Sequence, residues 1–267
     1  RRGGVWVFTW RISQKILDLV RLIVLARLLS PNDFGLFGIA LLALFALDIF
    51  STTGFKQALI QKKEDTKPYL DTAWTVGIIR AFFIAAILFF LAPYVGAFFK
   101  TPSVVPILKV IGIVIILESL TNISVIYFEK EFKFHKYFAY QFAGNVANFA
   151  VAICTALIFR SVWALVLGRL AGVSVACIVS YIIDPYRPRF HVDLQKARKL
   201  FTFGKWILGS NTLRFFLSQG DDGFVGKLLG STALGFYQVA YRISNMPATQ
   251  ITHIISQVTF PAYSKLQ

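Results

Sequence analysis

Apolar stretches of roughly 20 residues, the length that crosses a bilayer as a helix, recur along the whole 267-residue chain. The runs from Phe82 to Phe99 and from Ile111 to Leu117 contain no charged residue and lack the alternating pattern of outer-membrane strands. Charged residues make up 15% of the chain, against about 25% in soluble domains. These features predict an all-α polytopic membrane protein and exclude a soluble domain and a β-barrel.

Turn and charge signals divide the chain into eight predicted spans. Ser30-Pro31-Asn32-Asp33 combines an N-cap residue, a proline at the first helical position and an acidic residue in the first turn, so one helix ends there and another begins. Proline breaks the chain at 101–102 and 184–185 because it lacks the backbone donor. The predicted spans lie near 5–29, 34–60, 70–99, 104–128, 137–159, 161–183, 200–228 and 232–260.

Lys and Arg are distributed unequally between the two ends of these spans. With the N-terminus in the cytoplasm, fourteen basic loop residues fall on that side and two on the other. This asymmetry predicts a multi-pass protein of the cytoplasmic membrane with a cytoplasmic N-terminus. It explains most of the net charge of +15 without nucleic acid, and anionic membrane lipids are expected at the basic face. The fourteen are Arg1, Arg2, Lys62, Lys63, Lys67, Lys130, Lys133, Lys136, Arg187, Arg189, Lys196, Arg198, Lys199 and Lys265; the two are Lys100 and Arg160.

A shift of 200 residues aligns the first predicted hairpin with the last, with identities that include Trp6/Trp206 and Gly35/Gly235. Six predicted spans separate the two copies, and an even number preserves orientation, so the repeat is parallel. Because the chain starts without Met and stops just after an apolar helix, we expect a fragment. The expected organisation is a six-helix lobe over 1–183, a cytoplasmic linker over 184–199, and the first two helices of an incomplete second lobe over 200–267.

Ionised groups inside the predicted spans are concentrated on two helices. Such a group costs at least about 2.5–3.5 kcal/mol at the bilayer centre, so it usually faces protein or water. Positions i, i+4, i+7 and i+10 share one helix face, so the polar residues of the first span form one stripe and those of its repeat partner form another. The first stripe comprises Arg11, Lys15, Asp18 and Arg21, and the second comprises Asn211, Arg214, Ser218, Asp221 and Asp222.

The repeat predicts that the two stripes line one cavity between the lobes, where cations bind a phosphate-bearing substrate through charge-assisted hydrogen bonds. Asp18 and Arg21 have the alternative of a purely structural ion pair. Asp221 and Asp222 are candidates for taking up a coupling proton or cation, or for pairing with Arg214. The predicted substrate-binding residues are Arg11, Lys15, Asp18, Arg21, Asn211 and Arg214. Three isolated charges lie in spans of the first lobe, Arg80, Glu118 and Arg169, and the first two are candidates for a pair.

Other patterns indicate packing rather than chemistry. Small residues at 168 and 172 and at 226 and 230 (G-x-x-x-G) favour close helix contact. Cys154 and Cys177 lie in apolar stretches without neighbouring His or Cys, which argues against a disulfide framework and a metal site. The sequence contains no phosphate-binding Gly-rich loop, metalloprotease helix or nucleophile elbow. We therefore expect no cofactor, no metal and no enzyme activity.

Several runs together carry a family resemblance. They are 25–35 (LARLLSPNDFG), 54–63 (GFKQALIQKK), 131–134 (EFKF), 162–166 (VWALV), 201–204 (FTFG), 234–237 (LGFY) with Arg242, and 260–267 (FPAYSKLQ). In these runs the chain resembles the O-antigen and exopolysaccharide repeat-unit flippases of the multidrug/oligosaccharidyl-lipid/polysaccharide (MOP) exporter superfamily. The resemblance implies a MATE-like bundle of two six-helix lobes around a central cavity, here truncated to about eight transmembrane helices. It also implies alternating access, variable ion coupling and transfer of undecaprenyl-pyrophosphate-linked sugar units between leaflets.

The leading functional prediction is a flippase for lipid-linked oligosaccharides in polysaccharide or lipopolysaccharide synthesis. Its expected partners are the lipid-linked oligosaccharide, membrane lipids and a coupling proton or sodium ion. A drug or small-cation exporter of the same superfamily is the nearest alternative. Such an exporter is expected to bind cations with acidic and aromatic groups, and the excess of Arg and Lys in the first span argues against it. A membrane polysaccharide polymerase or glycosyltransferase is a further alternative, although such enzymes usually present catalytic residues on sizeable loops.

Overall fold

The computed structural model describes residues 2–51, 67–125, 128, 134–191, 193, 209, 212–213 and 215–245, with side chains of the first helix from Gln14 onward. The described residues form helices and no strand, which confirms the predicted all-α fold of a membrane protein. The helices are α1 (Arg2–Leu28), α2 (Pro31–Ser51), α3 (Lys67–Phe98), α4 (Val104–Ser119), α5 (Phe134–Phe159) and α6 (Trp163–Ile183). Two further described helical stretches, α7 over 215–228 and α8 over 231–245, follow.

Four helices of the described chain are long and apolar enough to cross a membrane. They match the second, third, fifth and sixth predicted spans and cover Pro31–Ile49, Tyr69–Phe98, Lys136–Phe159 and Trp163–Ile183. The first predicted span is a helix that carries the charged stripe. The predicted spans near 200–228 and 232–260 lie partly outside the described residues.

The prediction of a fourth span over 104–128 was wrong in length, since α4 ends at Ser119. A polar turn follows it, and this turn is buried. The backbone N–H of Asn122 donates to the Ser180 hydroxyl at 3.0 Å, and the Asn122 side-chain amide donates to the Tyr186 carbonyl at 2.8 Å. Because these contacts replace helical hydrogen bonds, the chain leaves the helix early.

The turn between α1 and α2 has the N-cap that the sequence predicted. The hydroxyl and the backbone N–H of Ser30 both donate to Asp33 Oδ2, at 2.6 and 3.0 Å. The other carboxylate oxygen of Asp33 accepts the backbone N–H of Val162 at 2.9 Å, just before α6 begins. Asp33 therefore joins the α1–α2 turn to the α5–α6 turn at one end of the bundle.

Helix packing is tightest between α5 and α6, and α3 pairs with α4. A Cβ atom placed on Gly172 would lie 2.8 Å from Cβ of Asn148, and one on Gly168 would lie 2.7 Å from Cβ of Ala152. The small residues at 168 and 172 thus serve close packing, as predicted. Gly230 differs from that prediction: it has open space around it and a φ of +87°, so it ends α7 in the left-handed conformation.

The second repeat copy contacts the first near the same end of the bundle. The Ser231 hydroxyl donates to the side-chain carbonyl of Asn32 at 2.5 Å, and the Lys227 ammonium donates to the Phe98 carbonyl at the end of α3. Leu234 of α8 is fully buried in the largest core cluster, with residues of α2, α3, α4 and α6. These contacts pack the start of α8 against α2, α3, α4 and α6.

The chain after α6 is extended and docks on the start of α3. Asp71 Oδ1 accepts the hydroxyl of Tyr186 at 2.6 Å and the backbone N–H of Arg189 at 2.9 Å. Thr75 accepts the backbone N–H of His191 at 3.1 Å. The described residues of the predicted linker over 184–199 are therefore hydrogen-bonded to α3.

Candidate functional site

A cavity of about 140 Å³ lies where α1, α2, α5, α6 and α8 meet. Its polar lining consists of three arginines, one each from α1, α6 and α8, and two side-chain amides. Apolar walls with a few convergent polar groups are typical of small-ligand sites. The polar residues are Arg21, Arg169, Arg242, Asn148 and Gln238, and the apolar walls are Leu22, Leu25, Phe34, Phe37, Leu41, Ala152, Leu165 and Val239.

The cavity lies close to the end of the bundle where the short turns meet. Along their helices, its lining residues are two to eleven positions from the helix end at these turns. At 1.5 Å per residue this is about 3–17 Å. At that end the Ser30–Asp33 cap, the Val162 contact and the Ser231–Asn32 hydrogen bond join the elements around the cavity.

Arg21 enters the cavity from α1 because the neighbouring face of that helix is apolar and buried. Leu22 and Leu25 are 4% and 1% exposed, and they pack against α5 and α6. The guanidinium of Arg21 forms an ion pair with Asp18 one turn earlier, with Nη2 and Oδ1 2.9 Å apart. Asp18 is more exposed than Arg21, at 52% against 23%. The pair with Asp18 orients the Arg21 guanidinium at the cavity wall.

Arg169 enters from α6 beside the close α5–α6 contact at Gly168. Its Nε atom is buried and has no hydrogen-bond partner among the described residues. A buried donor without a partner costs about 1–3 kcal/mol, and more for a charged group, so an acceptor at this atom would be stabilising.

Arg242 and Gln238 enter from α8, where they are four residues apart and share a helix face. Gln238 Nε2 donates to Asp222 Oδ2 of α7 at 2.9 Å. A side chain at Gly38 of α2 would overlap the Gln238 amide. Gln238 is therefore held between α7 and α2 while it lines the cavity.

The predicted site residues have different positions in the structure. Arg21 lines the cavity and Asp18 holds it, whereas Lys15 is exposed on α1. Arg11 lies in α1, but its side chain is outside the described residues, as are Asn211 and Arg214. These residues remain predicted substrate contacts.

The acidic candidates are bonded to neutral donors of α8. The Tyr237 hydroxyl donates to Asp221 at 2.5 Å, and Gln238 donates to Asp222. Arg80 forms its ion pair with Asp48 of α2 at 2.8 Å, in place of the predicted pairing with Glu118. Asp48 lies on a neighbouring helix, so sequence spacing gives no sign of this contact.

Sequence reasoning missed Arg169 and Arg242 as members of the cavity. Arg169 is a single charge in an apolar span, and intramembrane arginines usually serve function or pair with another group. That signal was present, but no periodic stripe accompanied it. Arg242 has Leu42 at the corresponding position of the repeat, so the 200-residue alignment does not mark it.

Three guanidinium groups around one cavity suit an anion with several oxygens. A guanidinium presents donors in a rigid fork that matches phosphate, and it stays charged. The size agrees with this chemistry, since a protein cavity of about 150 Å³ holds a molecule as small as benzene. The cavity therefore suits a phosphate group, whereas a sugar chain exceeds it.

Comparisons with known proteins identify the family of the chain. Residues 24–267 match the family described as "Polysaccharide biosynthesis protein". Among curated proteins, the chain is 24% identical to the lipopolysaccharide biosynthesis protein WzxC of Escherichia coli (strain K12), over 94% of the chain and 51% of WzxC. It is 23% identical to the teichuronic acid biosynthesis protein TuaB of Bacillus subtilis (strain 168), over 98% of the chain and 55% of TuaB.

A third relative is named as a transport protein. The chain is 22% identical to the succinoglycan biosynthesis transport protein ExoT of Rhizobium meliloti (strain 1021), over 96% of the chain and 53% of ExoT. The chain thus spans about half the length of these curated relatives. No solved structure matches it. The family match covers most of the sequence, and the chain belongs to this family of polysaccharide biosynthesis proteins.

Proposed function

We propose that the chain is part of a flippase that moves lipid-linked oligosaccharide units across the cytoplasmic membrane. The observation that carries the proposal is the meeting of Arg21, Arg169 and Arg242 in one cavity between the first helices and α8. The family match and the transport function named for one relative agree with it. In this proposal the three arginines hold the pyrophosphate that links lipid and sugar.

The mechanism needs no covalent chemistry. The guanidinium groups replace the water around the pyrophosphate and neutralise its charge, which is the largest barrier to crossing the bilayer interior. The isoprenoid chain stays in the lipid, and the sugar lies outside the phosphate-sized cavity. Movement of one lobe against the other then changes the face to which the site opens, as in transporters built from repeats.

The cavity and the charge distribution suggest the direction of access. In the proposed orientation the basic loops and the N-terminus are cytoplasmic. The turns joined through Asp33, Asn32 and Ser231 are then on the opposite side of the membrane. Hydrogen bonds between those turns would hold that side together, so in this proposal substrate enters from the cytoplasmic side.

The cationic lining disfavours the alternative of a drug or small-cation exporter. Such a site needs acceptors and aromatic faces toward a cation, and the cavity presents three cations instead. A polymerase or glycosyltransferase is also disfavoured, because the described cavity offers arginines and amides but no carboxylate in its lining. Activity as a non-enzymatic transporter fits the lining better.

Binding of undecaprenyl pyrophosphate tests the proposal. The full chain is placed in nanodiscs of uncharged lipid, and affinity is compared with undecaprenol, which has the same tail and no phosphate. Each of Arg21→Gln, Arg169→Gln and Arg242→Gln should weaken binding about ten- to hundredfold, since a hydrogen bond to a charged group contributes about 1.5–3 kcal/mol.

Arg160→Gln is the matched control, because Arg160 is exposed just after α5 and does not line the cavity. It should bind as the wild type does. Equal binding of both lipids, or wild-type affinity in the triple Arg21→Gln, Arg169→Gln, Arg242→Gln variant, would overturn the proposal.

A further inference from the structure

The described residues that follow α6, which are 184–191 and 193, form a strap along the start of α3. Asp71 accepts two hydrogen bonds from the strap, at 2.6 and 2.9 Å, and the Thr75 hydroxyl accepts one at 3.1 Å. The backbone N–H of Asp193 donates to the Thr72 hydroxyl at 3.3 Å. Positions 71, 72 and 75 are neighbours on a helix surface, so these bonds join the strap to one face of α3.

The strap also contacts the turn that follows α4. The side-chain amide of Asn122 donates to the backbone carbonyl of Tyr186 at 2.8 Å, and the backbone N–H of Asn122 donates to Ser180 of α6. Asn122 and Ser180 are completely buried. Because a buried amide without a partner is costly, the strap satisfies a group that the helices alone leave unpaired.

Apolar contacts accompany these hydrogen bonds. Tyr186 packs against the buried side chains of Leu70 and Ala73 on α3. The ring of Phe190 lies over Trp74, with the two ring centroids 4.9 Å apart. Polar and aromatic contacts at the same place are typical of a packed element.

The strap is fastened to one side of the predicted division between lobes. The partners named above belong to α3, α4 and α6, and all of these helices fall in the predicted first lobe over 1–183. A flexible linker between two domains would instead be solvated along its length. The contacts therefore indicate that the strap moves with the first lobe.

A docked strap shortens the chain that can extend between the two lobes. The second lobe is predicted to begin at 200, which is seventeen Cα–Cα steps from Ile183 and seven from Asp193. A fully extended chain spans at most about 3.6 Å per residue, so the reach is about 61 Å from Ile183 and about 25 Å from Asp193. Docking removes more than half of the reach.

We propose that the strap limits how far the two lobes separate on the cytoplasmic side. This inference rests on the proposed function, in which one lobe moves against the other. The strap stays on α3 during that movement, and the chain beyond Asp193 sets the limit of the opening.

Two insertions of the same ten-residue Gly-Ser segment separate this proposal from a simple flexible linker. Insertion after Asp193 lengthens the chain between the strap and the second lobe. Insertion between Ile183 and Asp184 lengthens the linker equally but leaves the strap intact, since Asp184 stays bonded to the backbone N–H of Tyr186. A flexible linker responds to total length, so it would respond equally to both.

Double electron–electron resonance on the native gene product in nanodiscs measures the separation. Spin labels are placed at Ala139→Cys of α5 and Ser244→Cys of α8, which are exposed, after Cys154 and Cys177 are replaced by alanine. Insertion after Asp193 should shift the longest distances to larger values, and the matched insertion should leave them unchanged. Equal shifts, or no shift with either insertion, would overturn the proposal.

A disulfide tests whether the strap leaves α3 during transport. The hydrogen bond from the His191 N–H to the Thr75 hydroxyl places the two Cα atoms within about 7 Å, the outer limit for a disulfide. Thr75→Cys with His191→Cys should cross-link on oxidation and then transport as the reduced protein does, and each single cysteine variant is a control. Failure to cross-link, or a loss of transport that a reductant restores, would overturn the proposal.

Hydrogen exchange checks the docked position without cross-linking. Asp71→Ala should speed exchange of the Arg189 amide about ten- to hundredfold, and Asp71→Asn, which keeps one acceptor oxygen, should have a smaller effect. Tyr94→Phe is the control on α3, since Tyr94 is 72% exposed. Equal exchange in all variants would count against docking. Failure to bind undecaprenyl pyrophosphate would overturn the proposed function instead, because the exchange and distance measurements need no substrate.

Discussion

The carbonyl oxygen of Ser231 lies against the Cα atom of Gly35, so close that any side chain at position 35 would overlap it. The reciprocal contact is present 200 residues along: Gly235 meets the carbonyl oxygen of Pro31 in the same way. Reciprocal contacts between matching residues are expected where two copies of a unit meet around a two-fold axis. This relationship supports the parallel repeat as the organising feature of the chain.

Substitution of either glycine should separate α2 from α8. Gly35→Ala and Gly235→Ala each introduce a methyl group where backbone atoms already touch, and overpacking of this kind costs about 1–3 kcal/mol. Thermal unfolding of the purified chain in detergent micelles measures the effect.

Gly77→Ala is the control for this prediction, because Gly77 lies in α3 with nothing within 4 Å of the added methyl group. It should be neutral or raise stability by up to about 1 kcal/mol through helix propensity. Similar stability in all three variants would show that the helices adjust and that the close contact has no structural importance.

The ion pair between Asp48 and Arg80 should contribute to stability inside the bundle. Asp48→Asn leaves the Arg80 charge without its carboxylate in a helix that is apolar enough to span the membrane, at a cost of about 1–3 kcal/mol. The double variant Asp48→Asn, Arg80→Gln should be more stable than the sum of the two single effects predicts. Strict additivity in unfolding experiments would contradict a direct interaction.

Sequence predicted those parts of the fold that local chemistry decides. Serine and aspartate at 30 and 33 specify a cap by their own side chains, and the cap is present. The end of α4 depends on hydrogen bonds from Asn122 to Ser180 and Tyr186, about 60 residues away, so an apolar sequence pattern continues past it. Boundaries set by tertiary partners leave no local signal.

The same distinction between local sequence patterns and tertiary packing applies to the candidate site. Arg21 was predictable because it belongs to a polar stripe with helical spacing. Arg169 and Arg242 are single charges on different helices, and only the packing of α6 and α8 against α1 brings them to one cavity. The periodicity of one helix cannot reveal a site assembled from five.

Cysteine labelling should establish the predicted topology. Ser103 and Arg187 are exposed at opposite predicted faces, so they are suitable positions once Cys154 and Cys177 are replaced by alanine. An impermeant maleimide should label Ser103→Cys in intact cells and label Arg187→Cys only after lysis, because basic loops stay in the cytoplasm. The reverse pattern would invert the orientation, and labelling after lysis controls for reactivity.

Asp221 and Asp222 are expected to couple transport to a proton or sodium gradient. Asp221→Asn and Asp222→Asn remove the charge that a cation would neutralise, while the three arginines of the cavity remain. Binding of bare undecaprenyl pyrophosphate should therefore persist, and the dependence of transport on pH or sodium should change. Tyr237→Phe should produce a weaker form of the Asp221→Asn effect because it removes one hydrogen bond.

The coupling prediction is checked in proteoliposomes of the native gene product under imposed gradients. Glu118→Gln is the control, since Glu118 is an exposed acid on α4 away from the cavity. Unchanged gradient dependence in both aspartate variants would exclude these acids as the coupling site.

The polar stripe of α1 should deliver the substrate to the cavity. Arg11 and Lys15 precede Arg21 on the same stripe, and ten residues of helix place Arg11 about 15 Å from Arg21 along the axis. In the predicted orientation this line of cations leads from the cytoplasmic side toward the site, where weak screening strengthens each phosphate contact.

Substitution of Arg11, Lys15 and Arg214 by Gln should then abolish most transport while the protein remains inserted. Lys15→Arg should be tolerated better than Lys15→Gln because it keeps the charge. Complementation of surface-polymer synthesis by the native gene product, with expression measured in parallel, tests this, and wild-type complementation by the triple Gln variant would show that these charges do not act on the substrate.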